Sequence, residues 1–286
     1  MLSVALMAAM TVPGTPPVRA ASLTISGIVD GATGVGYDAD ARFNPTENWA
    51  IAAGVGHSES NVAAEDFAGT TVRLGSDWQF RGFNAALALQ QWQDSDQVKS
   101  TSTRGQIGWT ALNGFGLAAL LDDRRLAVDY NLRTLTGGTR AAQVNFNGTG
   151  LGAEVSWLDE QWNLGVRYVD YRYGRSMARV RAILAAPTTA DFPVLERLLN
   201  SVLTRAAGAP DREVSATVGR QLSRSSLQGE WTLTRDALTR QSVHGVAVTH
   251  GYQFNRHAEL DTTLGATRSG PYGTTAFGGV ALTLRN

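Results

Sequence analysis

From Leu23 to Leu284 apolar and polar residues alternate with a period of two, interrupted at short intervals by turn-forming residues. The pattern is clearest between residues 147 and 173. Thr149, Leu151, Ala153, Val155 and Trp157 fall on one face, and Gly148, Gly150, Gly152, Glu154 and Ser156 on the other. After Leu158-Asp159-Glu160-Gln161 the alternation resumes. Trp162, Leu164, Val166 and Tyr168 oppose Asn163, Gly165 and Arg167, with Val169 out of pattern. A period of two means strand, because successive side chains point to opposite faces of the pleat. The short polar break makes the pair an antiparallel hairpin. A soluble sandwich would pack its large apolar residues inward beneath a charged exterior. Here aromatics mark the two ends of the apolar face, while the other face is glycine and single charges. Those are the two surfaces of a transmembrane β-barrel.

The same reading extends along the chain. Strands are predicted near 22–30, 35–43 and 48–58, and in a hairpin carrying Val72, Leu74, Trp78 and Phe80, then Phe83, Ala85, Leu87 and Leu89. Others follow at 102–112, 115–124, the hairpin above, 213–222, 226–236, 243–254, 257–268 and 274–285. The expected fold is an all-β, antiparallel up-and-down barrel of about fourteen strands. Twelve is the next even number, since the first strand is short and 31–34 is a tight connection on the wrong side. Tight turns at 44–47, 81–82, 113–114, 158–161, 223–225 and 255–256 alternate with longer connections. Asn113-Gly114 has the composition of a type I′ turn. Phe43, Trp49, Phe80, Phe83, Phe115, Trp157, Trp162 and Phe254 cluster beside the tight turns, where an interfacial aromatic girdle belongs.

Two connections are long. Residues 125–146 read as a hairpin extending beyond the membrane. In 174–212, Asp191 is a candidate N-cap, and Val194, Leu195, Leu198, Leu199, Val202 and Leu203 recur at helical spacing until Gly208 and Pro210. A shorter helical piece, 177–186, precedes it. Such a helix in an outer loop either packs on the barrel or narrows its mouth.

Composition adjusts this picture at the edges. The 286 residues carry 25 basic and 25 acidic side chains, and this balance excludes the basic footprint of a nucleic-acid binder. No apolar run reaches the length of a transmembrane helix. The lack of cysteine removes disulfides and thiolate chemistry. Residues 1–21 resemble a secretory signal without a basic start: Leu2 to Val12 is apolar, and Val18-Arg19-Ala20 offers a cleavage site before Ala21. The barrel is then expected over 22–286.

Candidate chemistry sits on the polar face: Asp38, Asp40, Arg42, Arg73, Asp77, Arg104, Glu154, Arg167, Glu213, Glu230, Glu259 and Asp261. These are expected to line a wet lumen, either as selectivity charges or as ion pairs filling it. For catalysis, His57-Ser58-Glu59 puts His57 and Ser58 on opposite faces, and His244 and His250 lack a serine at that spacing. No catalytic, cofactor or metal site is expected. The alternating hairpins, the Trp157-turn-Trp162 pair and the secretory start resemble Gram-negative outer-membrane β-barrels of the porin-like or small-channel kind. The last residues, Leu284-Arg285-Asn286, depart from the aromatic ending usual there. The resemblance implies outer-membrane lipids and the barrel-assembly machinery as partners, and a passive channel for small polar solutes as function. A surface-interaction barrel presenting its outer loops is the alternative, and a lipid hydrolase a third reading.

Overall fold

The computed structural model describes residues 20–31, 34–62, 65–94, 98–133, 139–174, 209–237, 240–269 and 273–286. They form fourteen strands in chain order. These are β1 (Ala21–Asp30), β2 (Val35–Thr46), β3 (Trp49–Val62), β4 (Glu65–Phe80), β5 (Phe83–Asp94), β6 (Val98–Thr110) and β7 (Phe115–Arg133). The second half comprises β8 (Thr139–Leu158), β9 (Trp162–Tyr173), β10 (Pro210–Gln221), β11 (Ser225–Asp236), β12 (Ser242–Asn255), β13 (Ala258–Ser269) and β14 (Gly273–Arg285). Each pairs antiparallel with its neighbour in sequence, and β1 closes on β14 from Ser22↔Arg285 to Asp30↔Phe277. Closure leaves no unpaired strand edge, which a hydrocarbon environment demands. The count is fourteen, not twelve.

The turns follow their local chemistry. Arg81 and Gly82 both have positive φ (47° and 84°), giving the type I′ hairpin whose twist matches the strands. At Asn113-Gly114 the expected type I′ turn is not formed. Gly114 N donates to Ala111 O at 3.0 Å, and Gly114 (φ 83°) is left-handed while Asn113 is not. The loop is therefore a four-residue turn closed by a left-handed glycine. A Cβ at Gly114 would stand 1.7 Å from the Leu158 carbonyl oxygen, so the adjoining strand end also requires glycine there. Asp159 Oδ1 accepts from the backbone N–H of Gln161 (2.8 Å) and Trp162 (2.6 Å), which fixes the turn between β8 and β9.

Several boundaries move outward from the expected ones because ladder pairing continues past the alternating core. The turn expected at 44–47 begins later, since β2 runs to Thr46, pairing with Trp49 after a register shift beyond Phe43. Residues 125–146, read as a hairpin, pair as one: β7 and β8 continue their ladder out to Arg133↔Thr139. Pro210–Arg212 belong to β10 rather than to the preceding connection, with Arg212 opposite Asp170 on β9. Ala21 opens β1 opposite Phe43, one residue inside the segment assigned to the leader. The rest of that leader, through residue 19, and both helical pieces between 177 and 207 lie outside the described residues.

Candidate functional site

The barrel offers two surfaces. Its outer face presents exposed Leu23, Ile25, Val55, Leu74, Ile107, Leu151, Val166, Val246, Leu264 and Val280, an apolar belt drawn from strands all round the wall. A soluble protein does not expose such a belt. It is the lipid-facing band of an outer-membrane barrel. The eight aromatics expected as a girdle are all exposed next to the short turns. Trp49 Nε1 donates to Ser76 Oγ at 2.8 Å on this face, meeting the polar needs of both groups.

The inner face is the candidate site. Each of the twelve charged residues expected there alternates with outward apolar positions. Directly paired residues share a face, so the ladder places these charges on the inner wall: Asp38 and Asp40 oppose Gly56 and Gly54, Glu154 opposes Arg167, and Asp261 opposes Ala281. The structure gathers them into groups. In the first, Arg73 of β4 reaches over β3 to β2, donating from Nη2 to Asp38 at 2.7 Å and from Nε and Nη2 to Asp40 at 3.2 and 3.1 Å. Gly54 and Gly56 make this reach possible, because a Cβ on either would stand 1.8 or 1.9 Å from an aspartate oxygen. Arg42 pairs with Asp77 at 2.9 Å, also across β3. Near the short-turn end, Arg285 pairs with Glu259.

The largest group centres on Asp122, which is 1% exposed. Its Oδ2 accepts from Arg104 Nη2 (3.1 Å), Arg124 Nε (3.1 Å) and Nη2 (3.0 Å), and the Tyr171 hydroxyl (2.8 Å). Arg124 lies over the Tyr171 ring, its guanidinium carbon 4.9 Å from the centroid, and extends to Glu213 at 3.6 Å. The belt thus runs from β6 to β10 along the wall. Its floor is the glycine run of β8. A Cβ at Gly148 would stand 2.3 Å from the Tyr173 ring, and one at Gly150 2.6 Å from the Tyr171 ring. Leu120, Val169 and Tyr171 form a buried apolar cluster beside it. The tyrosines, Asp122 and Arg124 are absent from the sequence-derived set, as are the buried inner residues Trp92 and Phe146.

Arg167, Glu154, Glu230 and Asp261 make no hydrogen bond or ion pair among the described residues. His57 is on the outer face, with Nε2 3.2 Å from Glu59 Oε1 and Nδ1 3.5 Å from Thr70 Oγ1. Ser58 opposes Gly36 on the inner face, as expected. The His57–Thr70 distance is at the limit of a hydrogen bond, and the backbone of β3 and β4 is committed to its ladder, which offers no oxyanion donors.

No protein-family model matches the chain, and no curated protein matches it in sequence. Solved structures do share its fold. The CymD monoaromatic hydrocarbon channel superposes with a TM-score of 0.56 at 8% identity, over 93% of this chain and 88% of that one. OmpTdeltaL8, a loop-deletion mutant of an outer-membrane protein of Vibrio cholerae, gives 0.47 at 9% identity over 94% and 98%. The NanC porin gives 0.45 at 8% over 92% and 98%. The first supports the barrel fold.

Proposed function

We propose that the barrel is a passive outer-membrane channel for small polar solutes. One observation carries this reading. Among the described residues every ion pair between two strands joins strands no more than three apart, so the charges lie along the wall instead of bridging the lumen. Opposed walls of a fourteen-stranded barrel are too far apart for side chains alone to fill the interior. The inner glycines let arginine and tyrosine side chains lie flat, which widens the passage.

CymD, a monoaromatic hydrocarbon channel by name, raises an apolar solute as a second possibility. The inner rings argue against it: Trp92, Phe146 and Tyr171 are 7%, 2% and 4% exposed and present little apolar surface to a solute. The reading requires no catalytic group. Outer-membrane lipids and the assembly machinery are its proposed partners, the former through the apolar belt. Liposome swelling tests it directly. Vesicles holding the refolded protein are expected to swell in an iso-osmotic pentose and not in a large dextran. Equal lack of swelling in both would point to a barrel that anchors its outer loops.

A further inference from the structure

On β10 to β13 the ladder sorts charge by face. Glu213, Glu230, Glu259 and Asp261 stand inward, opposite Thr234, Thr217, Thr283 and Ala281. Arg212, Arg220, Arg235 and Arg268 stand outward, opposite Asp170, Trp162, Arg212 and His244. Among the described residues these four strands therefore place no basic side chain on the inner wall. Elsewhere inside, each arginine already has a carboxylate. Arg42 pairs with Asp77, Arg73 with Asp38 and Asp40, Arg104 and Arg124 with Asp122, and Arg285 with Glu259. Arg167 has Glu154 directly opposite in the ladder. Glu230 and Asp261 are left over: each is half-buried, with no hydrogen bond or ion pair among the described residues. The chain's formal net charge of zero hides this partition.

Carboxylates facing water across an open interior attract cations and repel anions, and the low-dielectric wall behind them focuses the field. Acidic side chains around a pore are a general source of cation preference. The surroundings suit that role. Over Gly251 of β12, an added Cβ would stand 2.5 Å from Ser226 Oγ and 2.6 Å from Asp261 Oδ1. Thr249 and Thr263 bond each other at 2.8 Å on the same face. This part of the wall is lined by oxygen and holds no arginine fork for an anion. We infer that the β10–β13 wall makes the lumen selective for small cations over anions, with Glu230 and Asp261 setting the preference. The inference rests on the channel reading and adds the charge of the solutes it favours.

The test is the zero-current potential of the refolded full chain in a planar bilayer of uncharged lipid, under a gradient of potassium chloride. At low salt a permeability ratio of potassium over chloride of roughly five is expected, from unit charges acting through water across a pore radius. The ratio is expected to fall as salt rises and screens those charges. Glu230→Gln combined with Asp261→Asn is expected to lower it by about half, since two of the unmatched charges are gone. Neither side chain bonds within the wall, so the variant is expected to fold, as heat-modifiable gel migration will report. The wild-type ratio decides the sign whether or not the variant folds, and each single substitution can replace the pair. A ratio of one, or a preference for chloride, in a conducting barrel overturns the inference and leaves the channel standing. A cation preference unmoved by the substitutions overturns the assignment to Glu230 and Asp261. A folded barrel that passes no current refutes the channel reading, and the selectivity with it.

Discussion

At the scale of single residues, the inner wall is organised by what stands on its glycines. Tyr171 and Tyr173 can lie flat only because β8 presents Gly150 and Gly148 beneath them, and the Tyr171 hydroxyl then reaches Asp122 on β7. Tyr171→Phe removes that donor while leaving the ring in place. We expect a loss of about 1–3 kcal/mol, since the bond is to a buried carboxylate. Gly150→Ala pushes the ring off the wall and is expected to cost about 1–3 kcal/mol by overpacking. Urea unfolding of the refolded barrel in micelles checks both. A neutral Gly150→Ala would show that the ring does not rest there. Half of this arrangement is legible in the sequence. Gly148, Gly150 and Gly152 on one face announce a wall that something must cover. The cover was obscured because Val169 breaks the polar face of β9, although Val169, Tyr171 and Tyr173 simply continue the period. Asp122-Asp123-Arg124-Arg125 hides its alternation in the same way: like charges stand in adjacent positions, one of each pair inward.

At the scale of strands, alternation is set by two solvents, and this is why the elements were readable. Lipid selects large apolar side chains at every second position, and the wet lumen tolerates almost anything at the rest. The signal fades where the strand leaves the bilayer. There β7 and β8 keep their ladder to Arg133↔Thr139, which is the hairpin that residues 125–146 read as in the sequence. Backbone pairing, which no side chain advertises, decides those boundaries. The two faces make a sharp contrast in tolerance. Leu264→Arg, midway along β13 on the outer face and 67% exposed, is expected to destabilise by about 2–4 kcal/mol. Ala281→Arg on the inner face, opposite Asp261, is expected to cost less than about 1 kcal/mol. Equilibrium unfolding in lipid vesicles separates the two. Equal costs would mean that the outer face does not meet hydrocarbon.

At the scale of the whole molecule, charge placement is the property that links fold to function. The twelve inner charges read from the sequence as separate points, since one-dimensional spacing does not tell which strands a side chain can span. The barrel settles this by curvature and by small residues: Arg73 crosses β3 above Gly54, and Arg124 crosses two strands to Glu213. On the channel reading proposed above, pairs that lie along the wall rigidify it and leave the axis to solvent and solute. The most direct measurement of this account is the current through a single refolded barrel in a planar bilayer. Discrete conductance steps, from protein whose folding is confirmed by heat-modifiable migration, are the predicted result. A correctly folded barrel that inserts and passes no current would contradict it.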